Sequence, residues 1–325
     1  MNKKVIFVGG TIYSGSTFFH LTLANDPRGF AIGEAKNWFQ PTDVKHRRSN
    51  LVCQCGDPDC DLWYRVERNG MNHLYETIFD LHPGVEFIVD SSKYLTWIDS
   101  QTSRLAGQGI EVKHILIWKT LIEYAYSLQK RSALDADNGK ALAYWADYHQ
   151  AFYSFFNDFG AVNYKNYTEE HQTTLREACN FLEIPYFEGK EQFWDKRHHS
   201  LGGNLAARIH LYSKDSSNYQ DVVRRSNAGA NQYDIGVSEE HHREIFYDRP
   251  DEETLQPYIA RLHRNYPNLD LIGDMLTSRD VGNPDGWGSV WPSLQDSAFA
   301  IQRQRALKTI KDRYHQVRFS MRYRE

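Results

Sequence analysis

The chain has 325 residues, of which 41% are hydrophobic and 25% are charged, and its net charge is -4 at pH 7. This length suits one large α/β domain with insertions, because single hydrophobic cores stop growing at roughly 250–300 residues. Without a global positive charge, nucleic acid is a poor candidate partner, and any phosphate-binding charge must be local. No run approaches the roughly 18 apolar residues of a membrane span, and the N-terminus enters a strand-like run without a signal-peptide segment. We therefore expect a soluble, cytoplasmic protein without a membrane partner.

The first residues predict a strand, a turn and a helix. Lys3 to Val8 has the apolar character of a buried strand, Gly9 to Gly15 contains the glycines of a turn, and Ser16 to Ala24 has a helical pattern. This is half of a βαβ unit.

Strand and helix patterns alternate further along the chain, which is typical of a parallel sheet with helices on its faces. We predict a three-layer α/β fold with a mostly parallel central sheet, flanking helices, cap loops and C-terminal helices. The remaining predicted elements up to residue 182 are Glu86 to Val89, Tyr94 to Leu105, Val112 to Trp118, Leu121 to Arg131, residues 139–158, Ala161 to Tyr164, and Thr168 to Leu182 with Thr168 as N-cap.

Beyond residue 186 the sequence becomes polar and irregular. Ser216-Ser217-Asn218 and Asn227 to Gly236 predict long loops, and residues 251–264 predict a helix. Residues 297–324 predict a basic C-terminal helix. Its simplest interpretation is a solvated helix face, and the alternative is a lid or partner surface.

A phosphate-binding frame, G-x-x-x-x-G-K-[ST], is met at residues 10–17 in every fixed position except the lysine, where Ser16 stands. Such a turn presents backbone N–H groups, and the following helix adds the positive end of its dipole, so an anion is expected there. Kinases and NTPases use the lysine to hold the β- and γ-phosphates. Its absence favours a donor without a γ-phosphate.

The strand, the Ser-Gly-Ser-Thr turn and the helix together resemble the 5′-phosphosulfate loop of the sulfotransferases that use 3′-phosphoadenosine 5′-phosphosulfate (PAPS), especially the bacterial and carbohydrate-type branches. The resemblance implies a P-loop NTPase-like fold, PAPS as donor and PAP as product. It also implies a donor site that includes Tyr13, Ser14, Gly15, Ser16 and Thr17. Family members carry Lys or Arg immediately before the Ser-Gly, where this chain has Tyr13.

A second match concerns the donor's 3′-phosphate, which the family binds with an Arg at a strand end and a Ser eight residues later. Lys119 follows the predicted strand Val112 to Trp118, and Ser127 stands at the required offset. Lysine keeps the charge but loses the bidentate fork. A helix-capping lysine and an unrelated serine are the alternative.

The segment Asp90-Ser91-Ser92-Lys93 resembles the strand end of bacterial sulfotransferases, and Gly33-Glu34 resembles their Gly-Glu segment. Carboxyl ends of strands line the ligand crevice in open α/β sheets. Lys93 is therefore the candidate cation at the bridging oxygen, and Glu34 is the candidate general base. The alternatives are a surface lysine for Lys93 and, for Glu34, an exposed loop carboxylate or a helix-start residue before Ala35 to Phe39.

Three further segments resemble the same branch: Cys53-Gln54-Cys55-Gly56 with Cys60 and Trp63, the strand end at Tyr164, and His199-Ser200-Leu201-Gly202-Gly203-Asn204 with Arg208. They imply that Tyr164, Gly203, Asn204 and Arg208 bind the donor. We expect one sulfotransferase domain over residues 1–325, with acceptor-site caps at 35–80 and 205–250.

The expected reaction moves a sulfuryl group to a hydroxyl or amine of a small-molecule acceptor, cationic or aromatic, and this scheme requires no metal. Two alternatives stay open. One is a P-loop kinase-like transferase with Asp90 as magnesium ligand, and the other is a non-catalytic PAP-binding protein, which Tyr13 favours. The sequence indicates no oligomeric state.

The cluster Cys53, Cys55 and Cys60 has three interpretations. It supplies three sulfurs for zinc at a spacing unlike the usual clamp, it could close a small disulfide loop, or it holds free structural thiols. We expect free thiols and no metal ligand. Cys179 is predicted to pack in the core.

Overall fold

The computed structural model of the protein describes residues 3–41, 51–130, 134, 140–227, 239–266 and 269–283. Its described strands form one sheet with the order β2-β3-β1-β4-β5, and every neighbouring pair is parallel. The predicted α/β fold with a parallel central sheet is confirmed. The strands are β1 (Lys4–Gly9), β2 (Gly29–Gly33), β3 (Phe87–Asp90), β4 (Glu111–Trp118) and β5 (Gly160–Asn163).

Helices cover both faces of this sheet and follow the strands in sequence. None of those within the described ranges combines the length and apolar character that a bilayer span requires. The helices are α1 (Ser16–Leu23), α2 (Lys36–Phe39), α3 (Leu62–Arg68), α4 (Leu74–Leu81), α5 (Leu95–Ala106), α6 (Leu121–Gln129), α7 (Lys140–Phe155), α8 (Tyr164–Glu169), α9 (His171–Leu182), α10 (Leu205–Arg208), α11 (Ser217–Asn227), α12 (Glu252–Asn265) and α13 (Leu269–Ser278).

The side chains of β1 alternate between two cores, as the period of a strand requires. Val5 and Phe7 pack into the larger core with α3 to α7, whereas Ile6 and Val8 pack into the smaller one with α1 and α9. All four are fully buried. A central strand that is apolar on both faces is the expected mark of a parallel sheet between two helical layers.

Strand β2 and several helices, among them α3, α4, α11 and α13, were not expected from the sequence. Strand β2 (Gly29–Gly33) begins and ends with glycine, so its sequence lacks the run of β-branched and apolar residues that predicts a buried strand. Glycine is needed at its start, since a Cβ at Gly29 would lie 2.7 Å from the ring of Phe87. Ser217 and Asn218, predicted as loop, begin α11, and Ser216 before them accepts a hydrogen bond at its Oγ from the N–H of Tyr219 at 3.1 Å.

The predicted N-cap at Thr168 is wrong. Two helices stand there, and Asn163 caps the first by accepting hydrogen bonds from the N–H groups of Lys165 and Asn166. Thr168 lies inside α8, where its hydroxyl donates to the carbonyl of Tyr164 at 3.0 Å. The helix predicted for residues 297–324 and most of the loop at 227–236 lie outside the described residues.

The order of strands places β1 at the point where the chain changes direction across the sheet. The chain runs from β1 to β2 and β3 on one side and then crosses to β4 and β5 on the other. Ligands of open α/β sheets bind outside the carboxyl ends of the strands at such a point.

Candidate active site

Every strand of the sheet is followed at its carboxyl end by one of the predicted site residues. In spatial order along this edge they are Glu34 after β2, Lys93 after β3, residues 10–17 after β1, Lys119 after β4 and Tyr164 after β5. Parallel strands thus gather at one edge groups that are widely spaced in the sequence.

The glycine turn after β1 leads into a helix that lacks a side-chain cap. Gly15 occupies the N-cap of α1 with φ 91°, a left-handed conformation, and the first turn contains no acidic residue. Thr11 Oγ1 and Ser14 Oγ are buried without a hydrogen-bond partner among the described residues. An uncapped helix start beside unsatisfied hydroxyls is suited to an anion.

Three predicted donor-binding residues, Tyr164, Lys119 and Ser127, form one wall beside this turn. A Cβ at Gly15 would overlap the ring of Tyr164, so glycine lets the ring lie against the turn. The ammonium of Lys119 lies 4.4 Å from the centroid of the Tyr164 ring and donates to Ser127 Oγ at 3.0 Å. The predicted pairing of Lys119 with Ser127 is therefore a direct contact.

The helix that carries Ser127 differs from α1 because its own residues satisfy its start. Thr120 and Glu123 form a reciprocal capping box at the start of α6. An anion at this end of the sheet would therefore rely on the side chains of Lys119 and Ser127. Trp145 Nε1 donates to the carbonyl of Lys119 at 2.8 Å and holds its backbone.

The two predicted catalytic residues form an ion pair. Lys93 Nζ lies 3.0 Å from Glu34 Oε1, and the side chains are 17% and 15% exposed. Asn37 Nδ2 donates to Glu34 Oε2 at 3.0 Å, so both carboxylate oxygens have a partner. The alternatives of an exposed loop carboxylate and a surface lysine do not describe this pair.

Tyr148 of α7 is a site residue that the sequence analysis missed. Its hydroxyl accepts a hydrogen bond from the N–H of Gly10 at 3.0 Å and donates to the carbonyl of Lys93 at 2.9 Å. It thereby joins the glycine turn to the backbone of the candidate catalytic lysine. Nothing in the aromatic-rich pattern of α7 distinguishes this tyrosine from its core neighbours.

Two non-glycine residues of the site adopt left-handed backbone conformations. Tyr13 and Lys93 both have φ 66°. This conformation costs an ordinary L-residue roughly 1–2 kcal/mol relative to the right-handed one. Such strained residues cluster at functional sites.

A buried histidine joins three segments beneath the site. His20 Nδ1 lies 3.1 Å from the carbonyl of Ser16 and 3.0 Å from Ser91 Oγ, and its Nε2 lies 3.1 Å from Ser200 Oγ. Burial lowers the pKa of His20 to about 4, so the ring is neutral near pH 7. It is a structural contact among α1, the end of β3 and residue 200.

The predicted residues of the 203–208 segment divide into two groups. Gly203 and Asn204 contact the turn, because a Cβ at Gly203 would lie 2.6 Å from Thr17 Cγ2 and the N–H of Asn204 donates to Thr17 Oγ1 at 3.1 Å. The side chain of Asn204 caps α10, which makes it a positioning group. Arg208 contacts Tyr212, and its Nε is buried without a partner among the described residues.

Comparison with solved structures finds similar chains, among them two sulfotransferase domains. One is a sulfotransferase domain from the Synechococcus PCC 7002 olefin synthase, 13% identical, with 80% of this chain and 94% of that chain covered and a TM-score of 0.45. The other is a sulfotransferase domain from the curacin biosynthetic pathway, 15% identical, with 81% and 98% covered and a TM-score of 0.43. No protein-family model and no curated protein matches the chain.

Proposed function

We propose that the protein is a PAPS-dependent sulfotransferase that transfers a sulfuryl group to a hydroxyl or amine of a small-molecule acceptor. The observation that carries the proposal is the order of groups along the sheet edge. A lysine with a serine partner stands on one side of the glycine turn, and a lysine–carboxylate pair stands on the other.

This order gives the donor a direction. The 3′-phosphate binds Lys119 and Ser127, and the 5′-phosphate binds the N–H groups and hydroxyls of residues 14–17 at the start of α1. The nucleotide then lies over β1, β4 and β5, beside Tyr164. Its sulfuryl group faces the β2–β3 side, where Lys93 and Glu34 meet.

The chemistry follows from this placement. The acceptor oxygen or nitrogen attacks sulfur in line, the bond between sulfur and the bridging phosphate oxygen breaks, and PAP leaves with the electron pair. Lys93 leaves its ion pair with Glu34 and binds the bridging oxygen, where it stabilises the developing negative charge. A group in this role lowers the activation free energy by about 3 kcal/mol. Glu34 Oε1, released from the ion pair, takes the acceptor's proton.

The acceptor enters beside Glu34. The chain from α2 to α4 follows Glu34 directly and supports the proposed cap over residues 35–80. Trp38 lies there with Trp63 and Tyr64, with centroid distances of 6.3 and 5.3 Å from the Trp38 ring. Trp38 and Trp63 are each 2% exposed and belong to the core, so Tyr64, 58% exposed, is the ring of this cluster that can face an aromatic or cationic small molecule.

The kinase alternative required Asp90 as a magnesium ligand, and the surroundings of Asp90 argue against it. Its carboxylate accepts hydrogen bonds from Tyr75 Oη at 2.8 Å, Trp97 Nε1 at 3.0 Å and the N–H of Ser92 at 2.7 Å. Burial raises its pKa, with these hydrogen bonds acting in the opposite direction. A metal would have to displace these donors, and Asp90 is better explained as the structural end of β3.

The first experiment is a calorimetric titration of the purified protein with PAP, beside ATP with magnesium, in moderate salt. Micromolar PAP binding without an ATP response supports the donor site, whereas ATP binding alone overturns it. PAPS turnover against a set of phenols and amines then separates the enzyme from a non-catalytic PAP-binding protein. Normal PAP binding without turnover on any acceptor would favour the latter.

A further inference from the structure

Three cysteines and one histidine converge outside the candidate active site. The ligand atoms of Cys53, Cys55, Cys60 and His199 all lie within 4.8 Å of one another. His199 Nδ1 is 3.5 Å from the sulfur of Cys53 and 3.5 Å from the sulfur of Cys60. The three sulfurs seen in the sequence thus gain a fourth group from a distant segment.

The two sulfur–nitrogen distances match the edge of a tetrahedral zinc site. Zinc lies about 2.3 Å from thiolate sulfur and about 2.0–2.1 Å from imidazole nitrogen, so tetrahedral angles place sulfur and nitrogen ligands about 3.6 Å apart. The two measured sulfur–nitrogen distances are 3.5 Å. A Cys₃His set with four protein ligands is a usual structural zinc site.

Backbone groups around the cluster are arranged to support thiolates. The N–H of Cys55 hydrogen-bonds to the Cys53 sulfur, and the N–H of Leu62 hydrogen-bonds to the Cys60 sulfur. Gly56, with φ 80°, provides the turn after Cys55. Burial raises the pKa of the Cys53 and Cys60 thiols, and these N–H donors act in the opposite direction, toward the thiolate form that binds metal.

The position of His199 is also fixed by its neighbours. Its carbonyl accepts a hydrogen bond from Trp63 Nε1 at 2.9 Å, and its ring stacks on Phe30 with an interplanar angle of 5° and centroids 6.0 Å apart. These contacts fix the backbone of His199 and the plane of its ring beside the three sulfurs.

We propose that Cys53, Cys55, Cys60 and His199 bind one structural Zn²⁺ ion. None of the four cysteines is in a disulfide, and a disulfide within the cluster would leave an odd thiol beside the histidine. Four protein ligands leave no open position for a substrate, so the ion has a structural role. The earlier expectation of free thiols without a metal is replaced by this proposal.

The site would couple the cap segment to the donor loop. His199 immediately precedes Ser200, whose carbonyl accepts from the N–H of Gln54 at 3.0 Å and whose hydroxyl contacts His20. The same segment continues to Asn204, whose N–H donates a hydrogen bond to Thr17 Oγ1. Zinc would thus hold residues 53–60 and 199–204 together beside the glycine turn.

The test begins with the metal content of the full chain purified without chelators. We expect one zinc per chain by mass spectrometry of the metals. After replacement by Co²⁺, we expect thiolate-to-cobalt charge transfer and the intense visible bands of a tetrahedral ion. A zinc-free protein that fails to bind added Zn²⁺ or Co²⁺, or a mass two hydrogens below the reduced chain from a disulfide, would overturn the proposal.

Variants identify the ligands. Cys60→Ser should weaken zinc affinity at least tenfold in a competition with a chromophoric chelator and should alter the cobalt charge-transfer band. The matched control is Cys179→Ser, which replaces a buried thiol of α9 outside the cluster and should leave both unchanged. If Cys60→Ser does not fold, the cobalt spectrum of the unsubstituted protein still decides, since bands without thiolate character exclude the site.

Discussion

Lys93 Nζ lies 3.0 Å from Glu34 Oε1, although the two residues follow different strands and helices α2 to α4 lie between them in the chain. The neighbouring positions of β2 and β3 in the sheet produce this contact. Each residue is held a second time, Glu34 by Asn37 and Lys93 through its carbonyl by Tyr148. The pair is therefore fixed in place before any substrate arrives.

Replacing the carboxylate tests its role as base. Glu34→Gln keeps the shape and a hydrogen-bonding side chain but cannot take a proton, so we expect sulfuryl transfer to slow by about 10²–10⁴-fold. PAP affinity, measured by calorimetry, should be unchanged. A fully active Glu34→Gln variant would remove Glu34 as the base.

The two lysines should affect different quantities. Lys119→Ala removes a charged hydrogen-bond donor of about 1.5–3 kcal/mol, so PAP should bind about 10- to 100-fold more weakly. Lys93→Ala should lower turnover while PAP binding is largely retained. Lys165→Ala, which removes a half-exposed lysine one residue after Tyr164, is the charge-matched control and should change neither. Equal loss of PAP binding in both site variants would contradict this division of roles.

Two glycines separate backbone strain from a steric effect. Gly15 has φ 91° and ψ 6°, in the left-handed region, whereas Gly70 has φ 80° and ψ 164°, a region that is essentially restricted to glycine, so alanine is strained at both positions and more so at Gly70. Only at Gly15 would the added Cβ overlap Tyr164, whereas at Gly70 nothing lies within 4 Å. Both variants should lower the melting temperature, but only Gly15→Ala should weaken PAP binding. A similar loss of affinity in Gly70→Ala would argue for a general effect of destabilisation.

Buried histidines predict loss of stability in mild acid. Burial lowers the pKa of His114 to about 4 and that of His149 to about 3, from an ordinary value of 6.5. Below pH 6.5 the unfolded chain binds protons that the folded chain does not, so stability falls as pH drops toward 4. Each such histidine contributes a slope of about 1.4 kcal/mol per pH unit.

Urea unfolding at several pH values measures that slope. His149→Phe keeps a ring in the buried position and should reduce the slope by about 1.4 kcal/mol per pH unit between roughly pH 6 and 4. His73→Gln, at an exposed position, should leave it unchanged. An unaltered slope in His149→Phe would mean that this histidine is protonated in the folded state.

The sequence predicted most of the sheet because buried parallel strands are short apolar runs followed by helical patterns. The strands containing Phe7, Val89 and Ile117 have this form, whereas β2 does not. Glu34, Lys93 and Lys119 were chosen by resemblance, and they stand after strands, where the parallel sheet gathers them at one edge. The ion pair between Glu34 and Lys93 was not itself predicted.

Contacts set by tertiary packing could not be predicted in this way. Tyr148 of α7 contacts Gly10, which lies 138 positions earlier in the chain. His199 contacts Cys60 from a loop 139 positions away. Neither distance is encoded in a local period or a short motif. Proximity of this kind depends on how two finished elements pack.

The left-handed backbone conformation of Tyr13 and Lys93 lowers the stability of the fold at two positions of the candidate site. Glycine at either position would relieve roughly 1–2 kcal/mol of strain. A screen that selects only for a higher melting temperature should therefore favour glycine where strain relief exceeds the lost side-chain contacts. At Lys93 such a change would remove the proposed catalytic ammonium, so efforts to make the protein more heat-resistant should hold this position fixed and seek their gains elsewhere.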